Sequence, residues 1–452
     1  MAPKLGAARR APSLPRPNAR HGWRPLAREA LLAALTTWFA IVAITALPNL
    51  RPQQIRPQLP PNGASYLDDF DVFYSAGSLF RQGRGHDVYN LSALQSAESQ
   101  TFGLPTEAFE ALPFFNPPHA LLLFAPLSLL NLPAAAAIWS LGTALLAAGG
   151  FGVLLRAYPL RLGTLPIACL ALGIVSSLPV YQAAIHGQIS FLLVLGLCLL
   201  YTSMQRQSAR LSLPGLLILS LKPQLLLLPV ILFVLQRRYR ELAIAFAGGL
   251  VLLLAALSLS GVHALADYAR LTVASTSWNG ENGISTLGMF GWVGMVSGAT
   301  GGQRFDALHQ IVLILDALTL AFTAWGIWRG VRHGRDSGTL LSIAVAGALL
   351  ASPHFYAQDL LLLVPVLLVM MHGTGPRHRS PNALANFFAL AGWFTVYVHF
   401  TVLGDTHINP TTLYIVALLL MLVIQGSGLG GSRAGRDRTR PSAAGRAPAG
   451  TG

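Results

Sequence analysis

The chain has 452 residues, 53% of them apolar and only 11% charged, far below the quarter of charged residues usual in soluble domains. Its net charge of +14 sits largely in two tails, with seven basic residues before Glu29 and five arginines beyond residue 430. No aromatic-interleaved basic motif accompanies them, which argues against a nucleic-acid partner. The tails fit the positive-inside rule and attraction to anionic membrane lipids instead. Cys169 and Cys198 both lie in apolar stretches and give neither a disulfide framework nor metal-site spacing.

In chain order, residues 1–28 read as a disordered basic cytoplasmic arm, and 29–426 as one membrane domain. Residues 31–48 form a first span, read as an uncleaved signal anchor because the apolar core is long for a signal peptide and no clear small-x-small site follows. Residues 49–112 form a long first outer loop with seven acidic residues. Within it, 74–80 reads as a short helix lying on the membrane, followed by a turn at Gly83 and Gly85. Apolar segments follow near 113–130, 134–155, 162–180, 188–204, 213–235 and 241–260. A second outer loop covers 261–306. Further segments lie near 307–328, 338–352, 359–371, 383–402 and 411–426, and 427–452 is a second disordered basic tail. The expectation is an all-α polytopic protein of about 12 transmembrane helices.

Charge supports that layout. The tails and the arginine links 237–240, 329–335 and 377–379 fall on the cytoplasmic side with 20 of the 31 basic residues, while 12 of the 17 acidic residues fall outside. Arg156, Arg161, Arg206 and Arg210 disagree, because the count puts them outside. One segment between 113 and 235 is therefore suspected of being a re-entrant hairpin.

Asp68, Asp69 and Asp71 put three carboxylates within four positions, just past the first span. They read either as a solvated, helix-capping loop or as a membrane-surface active site. Lys222 is one of only two lysines, set in an apolar run beside the helix-breaking Pro223. It suits an anionic lipid head-group, such as a phosphate, with a snorkelling lysine as the plain alternative. His186 and Gln188 flank Gly187 in a polar turn between spans. His354 stands with Tyr356, Gln358 and Asp359 at another outer corner, where it can bond a phosphate or a sugar hydroxyl. His399, Asp405 and His407 are weaker candidates, and Asp316 is given no role. No Gly-rich phosphate loop, nucleophile elbow or zinc spacing occurs.

Asp69-Phe70-x-Val72-Phe73-Tyr74-x-Ala76, with Gly83 and Val88-Tyr89-Asn90, resembles the first outer loop of bacterial polyprenyl-phosphate-mannose-dependent mannosyltransferases. These form glycosyltransferase family 87, of the GT-C membrane fold. Phe114-Phe115-Asn116-Pro117-Pro118, His186-Gly187-Gln188, Leu221-Lys222-Pro223-Gln224 and Ser352-Pro353-His354 resemble later blocks, in the same order. Asn116 departs from the pattern, which has a tyrosine or similar residue there.

The resemblance implies an inverting transfer of a hexose, mannose by analogy, from a polyprenyl-phosphate donor to a lipid or glycan acceptor, on the outer face of the plasma membrane. An aspartate would be general base: Asp69 leads the pattern, with Asp71 and Asp68 in reserve. Lys222, His354 and, more distantly, Arg270 would face the donor phosphate. Tyr74, Tyr89, Asn116, His186, Gln188, Tyr356 and Gln358 would contact substrate. Three crowded carboxylates suggest a divalent metal as well. A monophosphate leaving group has little charge to neutralise, however, so neither metal nor other cofactor is expected. A multispan transporter or flippase is the alternative, but only one broken segment is evident where a transporter would show a matched pair. A lipid-linked polysaccharide polymerase or ligase is a third reading, and would carry its large outer loop late in the chain.

Overall fold

A computed structural model describes residues 68–372 and 409–426, apart from 104, 107–111, 161–163, 280–281, 283 and 303–304. The two tails, the segments 31–48 and 383–402, and His399, Asp405 and His407 lie outside the described residues, as do Glu107, Glu110, Arg161 and the 377–379 link. Among the described residues the structure is helical and has no β-strand. By length and composition three helices can cross a membrane: Leu132–Ala157, Tyr239–Ser260 and Leu308–Arg332.

Helix α1 (Asp68–Arg81) opens the described chain, and α2 (Leu91–Phe102) follows it. Asn90 caps α2 by accepting from the Ala93 amide at 3.1 Å, and Gly103 ends it in the left-handed region. Contrary to the sequence expectation, α1 does not lie on a surface. Phe70, Val72, Phe73, Ala76, Leu79 and Phe80 are all buried, so more than one face of the helix is core. Phe73 stacks on Phe124 at 4.6 Å, and Phe70 stacks on Trp139 at 6.1 Å.

Two expected spans are corrected. Residues 113–130 form only short pieces, Pro118–Ala120, Leu121–Phe124 and Leu127–Leu129, because Pro117, Pro118 and Pro126 interrupt any longer helix. Residues 213–235 are not one helix but two. They belong to α7 (Ala209–Leu219) and α8 (Pro223–Leu235), a hairpin with Lys222 at its tip. Lys222 precedes a proline and takes an extended conformation, which stops α7, while Pro223 starts α8.

The α7 arm of the hairpin packs on α6 (Ser190–Arg206) and α9 (Tyr239–Ser260), and α6, reached through α4 (Thr164–Val175) and α5 (Leu178–Ile185), packs in turn on α3 (Leu132–Ala157). Small residues let α6 and α7 approach closely: a Cβ on Gly215 would lie 2.8 Å from Leu200, and one on Gly196 2.9 Å from Ile218. Beyond α9 come α10 (His263–Ser275), α11 (Gly291–Ala299), α12 (Phe305–Arg332), α13 (Ser337–Leu350), a 3-10 segment (Ala357–Leu362) leading into α14 (Leu363–His372), and α15 (Pro410–Gly426). Helix α13 is buried along almost its whole length, with α6, α8, α12 and α15 around it.

Hydrogen bonds define two opposite ends of this bundle. At one, Ser203 meets Ser212 at 2.5 Å, Arg238 donates to Ser203, and Gln236 donates to Ser337 at 2.9 Å. Tyr158 donates to Tyr201 O and His372 meets Pro159 O at 2.9 Å in the same layer. At the other end lie the start of α1, the start of α6 and the hairpin tip. Because 113–130 does not cross and 213–235 turns back, Arg156, Arg206 and Arg210 join Arg237, Arg238 and Arg240 at the first end. For Arg156, Arg206 and Arg210 the conflict in the charge count disappears.

Candidate active site

The second end is assembled around the His186–Gln188 turn. Gly187 takes φ +60°, which a side-chain-bearing residue would adopt only with strain, and the chain reverses there between α5 and α6. The Phe70 amide donates to His186 O at 3.2 Å, and the Trp139 indole donates to Gly187 O at 2.7 Å. These bonds set the start of α1 against the turn. The Gln188 amide then donates to the Asp69 carboxylate. His186 itself donates to Gln182 at 2.7 Å, so it serves the turn.

Asp69 and Asp71 are two positions apart on a helix, so their side chains diverge. Asp69 is half-buried on the Gln188 side. Asp71 is buried on the α2 side, facing Glu98, whose carboxyl is pushed up to about 8 by burial and, secondarily, by the Asp71 charge. The Asp68 side chain lies outside the described residues.

Lys222 Nζ pairs with Asp359 Oδ1 at 2.5 Å. The same carboxylate oxygen accepts from the Ser190 hydroxyl at 3.3 Å, and Oδ2 accepts from the Tyr356 amide at 3.5 Å. Three chain segments thus hold Asp359, and Asp359 holds the lysine. Tyr356 is close enough to Asp69 and Asp359 to feel both charges. Burial raises its phenol well above the usual range, and the charges of Asp69 and Asp359 push the same way.

His354 borders the lysine. Its ring stacks on Phe115 with centroids 4.8 Å apart and planes at 29°, and its Nε2 meets Ser275 Oγ at 3.0 Å. Burial, then the Lys222 charge, pushes its pKa down to about 4, so the ring is neutral at ordinary pH. Trp278 lies beyond Phe115, 6.5 Å between centroids. Tyr356 and Phe115 also pack against a small apolar cluster of Ile284, Met289, Val293 and Val312 under the 276–302 segment. Phe290 N donates to Phe355 O at 2.7 Å, which ties that segment to the His354 corner.

Asp69, Gln188, Lys222, His354 and Tyr356 are therefore brought together, with Gln358 buried one residue before Asp359. Other candidates stand apart. Arg270 is 75% exposed and pairs with Asp267 at 3.1 Å. Tyr74 donates to Leu130 O, and Tyr89 donates to the Asn116 backbone O, both at 2.8 Å, so the two tyrosines fix the 113–130 segment against α1 and its loop, while Asn116 is buried next to Phe115, the ring that stacks on His354. Sequence reasoning named Asp359 only as a neighbour of His354 and missed it as the lysine's counter-ion. The readable signal was that a lysine in an apolar segment needs an acidic partner, and few acids are available. Ser190 and Ser275 carried no signal.

A carboxylate and a cation gathered around one tyrosine suit a reaction in which one takes up a proton while the other faces a departing anion, the equipment of a membrane-embedded transferase. Comparison with protein families gives that class its name. The model of glycosyltransferase family 87 matches residues 114–353, more than half of the chain, and the protein belongs to that family. It is a glycosyltransferase, an enzyme and not the transporter or flippase held as the alternative. The match begins after Asp69 and ends one residue before His354. Neither the curated proteins nor the solved structures yield a match.

Proposed function

We propose that the protein takes a hexose, mannose by family resemblance, from a polyprenyl-phosphate donor and passes it with inversion to a lipid or glycan acceptor, at the extracytoplasmic face of the plasma membrane. The reading rests chiefly on one observation. Asp69 is oriented by Gln188, Lys222 is held by Asp359, and Tyr356 is close enough to both carboxylates to feel their charge.

Asp69 acts as the general base, taking the proton from the acceptor hydroxyl as its oxygen attacks the anomeric carbon. The bond from that carbon to the phosphate oxygen breaks on the opposite side, and polyprenyl phosphate departs with the electron pair. Lys222 sits where a cation lowers the cost of the growing charge. One base and no covalent nucleophile are enough for a single displacement. The reaction so drawn calls for no metal or other cofactor. Asp71, buried against Glu98, is a poor base because an acceptor hydroxyl must reach it through packed side chains.

The test is transfer or donor hydrolysis by purified protein in liposomes supplied with a polyprenyl-phosphate hexose and candidate acceptors. Asp69→Asn is expected to lose on the order of 10²–10⁴-fold in rate. An Asp69→Asn variant as active as wild type would sink the assignment. Asp71→Asn is expected to retain turnover per folded molecule.

A further inference from the structure

The hydrogen bonds around His354 give a different role from the phosphate contact expected for it. Ser275 has one hydroxyl proton, and its Oγ donates to Thr272 O at 2.9 Å. Thr272 lies in the last turn of α10, where the Thr276 amide has turned to Val273 O, leaving the Thr272 carbonyl to take its donor from the serine. The Ser275 oxygen facing His354 therefore accepts, and Nε2 carries the proton. In a neutral imidazole the other nitrogen is then a bare lone pair. Nδ1 is buried and has no hydrogen-bond partner among the described residues. The ring has little freedom to turn, because Phe115 covers one face and Ser275 fixes the far nitrogen.

An unprotonated nitrogen repels a phosphate oxygen and attracts a hydroxyl proton. We propose that His354 Nδ1 accepts a hydrogen bond from a hydroxyl of the sugar, and that Phe115 and Trp278 form the wall against which the apolar face of the same ring packs. His354 is thus a specificity-determining residue for a pyranose, and Lys222 is left to face the phosphate. The neutral state of the ring agrees, since burial and Lys222 hold it uncharged. The inference rests on the reading of this site as a sugar-transfer centre and deepens it.

The experiment compares kcat/KM for a polyprenyl-phosphate hexose and its monodeoxy analogues, one position at a time, in wild type, His354→Phe and His354→Lys. Phe keeps a ring stacked on Phe115 and removes the acceptor, while Lys supplies a cation. Wild type is expected to disfavour one monodeoxy donor by on the order of 10- to 100-fold, the worth of a buried hydrogen bond. His354→Phe should lose that discrimination, and His354→Lys should do no better than His354→Phe. A lysine variant clearly more active than the phenylalanine variant, or undiminished discrimination in His354→Phe, overturns the proposal. If His354→Phe does not fold, Ser275→Ala replaces it, because it frees the tautomer without touching the ring, and the same discrimination should fall several-fold at a similar melting temperature.

If wild type transfers no hexose from any polyprenyl phosphate, the function reading falls separately. Thermal stabilisation by a methyl hexopyranoside then decides the histidine. Stabilisation that is lost in His354→Phe sustains the hydroxyl contact; stabilisation by inorganic phosphate alone, or by neither probe, overturns it.

Discussion

The two ends of the helical bundle each hold a buried ion pair, and the pairs are built differently. Arg238 and Glu241 are three residues apart at the start of α9, 2.6 Å between Nε and Oε2, with side chains 7% and 15% exposed. Lys222 and Asp359 come from elements 137 residues apart, and the lysine remains 18% exposed while its partner is 4% exposed. The local pair, with Ser203 and Ser212 around it, clamps the turn between α8 and α9. The long-range pair joins a hairpin tip to the 3-10 segment beside Tyr356, and its cation keeps an open side. Burial and pairing are common to both. On the proposed reading, Lys222 differs from Arg238 in that opening, together with neighbours that can meet a substrate.

Breaking each pair tests the contrast. The largest effect is expected for Lys222→Met, which should lower kcat on the order of 10²–10³-fold. It also leaves Asp359 buried without its cation, at a cost of ~3–5 kcal/mol in stability. The double variant Lys222→Met/Asp359→Leu should recover most of that stability, read as melting temperature in detergent, without recovering turnover. Recovered turnover would make Lys222–Asp359 a clamp like its counterpart. At the other end, Arg238→Met should destabilise by a similar ~3–5 kcal/mol, and Arg238→Met/Glu241→Leu by much less, both with near wild-type turnover per folded molecule.

A smaller effect concerns pH. The site end carries two buried groups whose protonation burial shifts, Glu98 and His354. Glu98 is raised to about 8 from 4.5, so between those values the folded protein holds a proton that the unfolded chain has released. Stability therefore falls as pH rises through that window, by up to ~1.4 kcal/mol per unit, and Glu98→Gln should flatten the slope. His354, lowered to about 4 from 6.5, acts oppositely: stability rises with pH between those values and is lost as the pH falls through them. Melting curves from pH 4 to 9 check both. An unchanged slope above pH 5 in Glu98→Gln would remove Glu98 as its source.

The sequence disclosed a good part of this. Apolar content and charge pointed to a helical membrane protein, and ordered short motifs pointed to the family. Asp69, Gln188, Lys222, His354 and Tyr356 were all named from the sequence and converge in the structure. The charge count raised a re-entrant hairpin between 113 and 235 without placing it, because 213–235 is leucine-rich on both sides of the Pro223 break, and an apolar run reads the same whether it crosses once or turns back. Residues 113–130 were misread for the related reason that hydropathy does not register three prolines as breaks. The Lys222–Asp359 pair spans 137 residues, and no local spacing encodes such a contact. Arg270 shows the converse error: a cation in the right loop finds its partner one turn away, at Asp267.

The hairpin has one more consequence. Helix α7 has 11 residues and α9 has 22, and both start from the arginine end, so at ~1.5 Å per residue α7 is roughly 16 Å shorter than α9, with Lys222 three residues beyond its end. The bundle has a step there, with the Pro118–Ala120 turn and α10 beside it. A head-group on a long hydrocarbon tail can reach such a ledge from the side without being lifted clear of the surrounding lipid, whereas a water-soluble acceptor must descend to it. Two substrates of opposite solubility would thus enter one socket by separate doors.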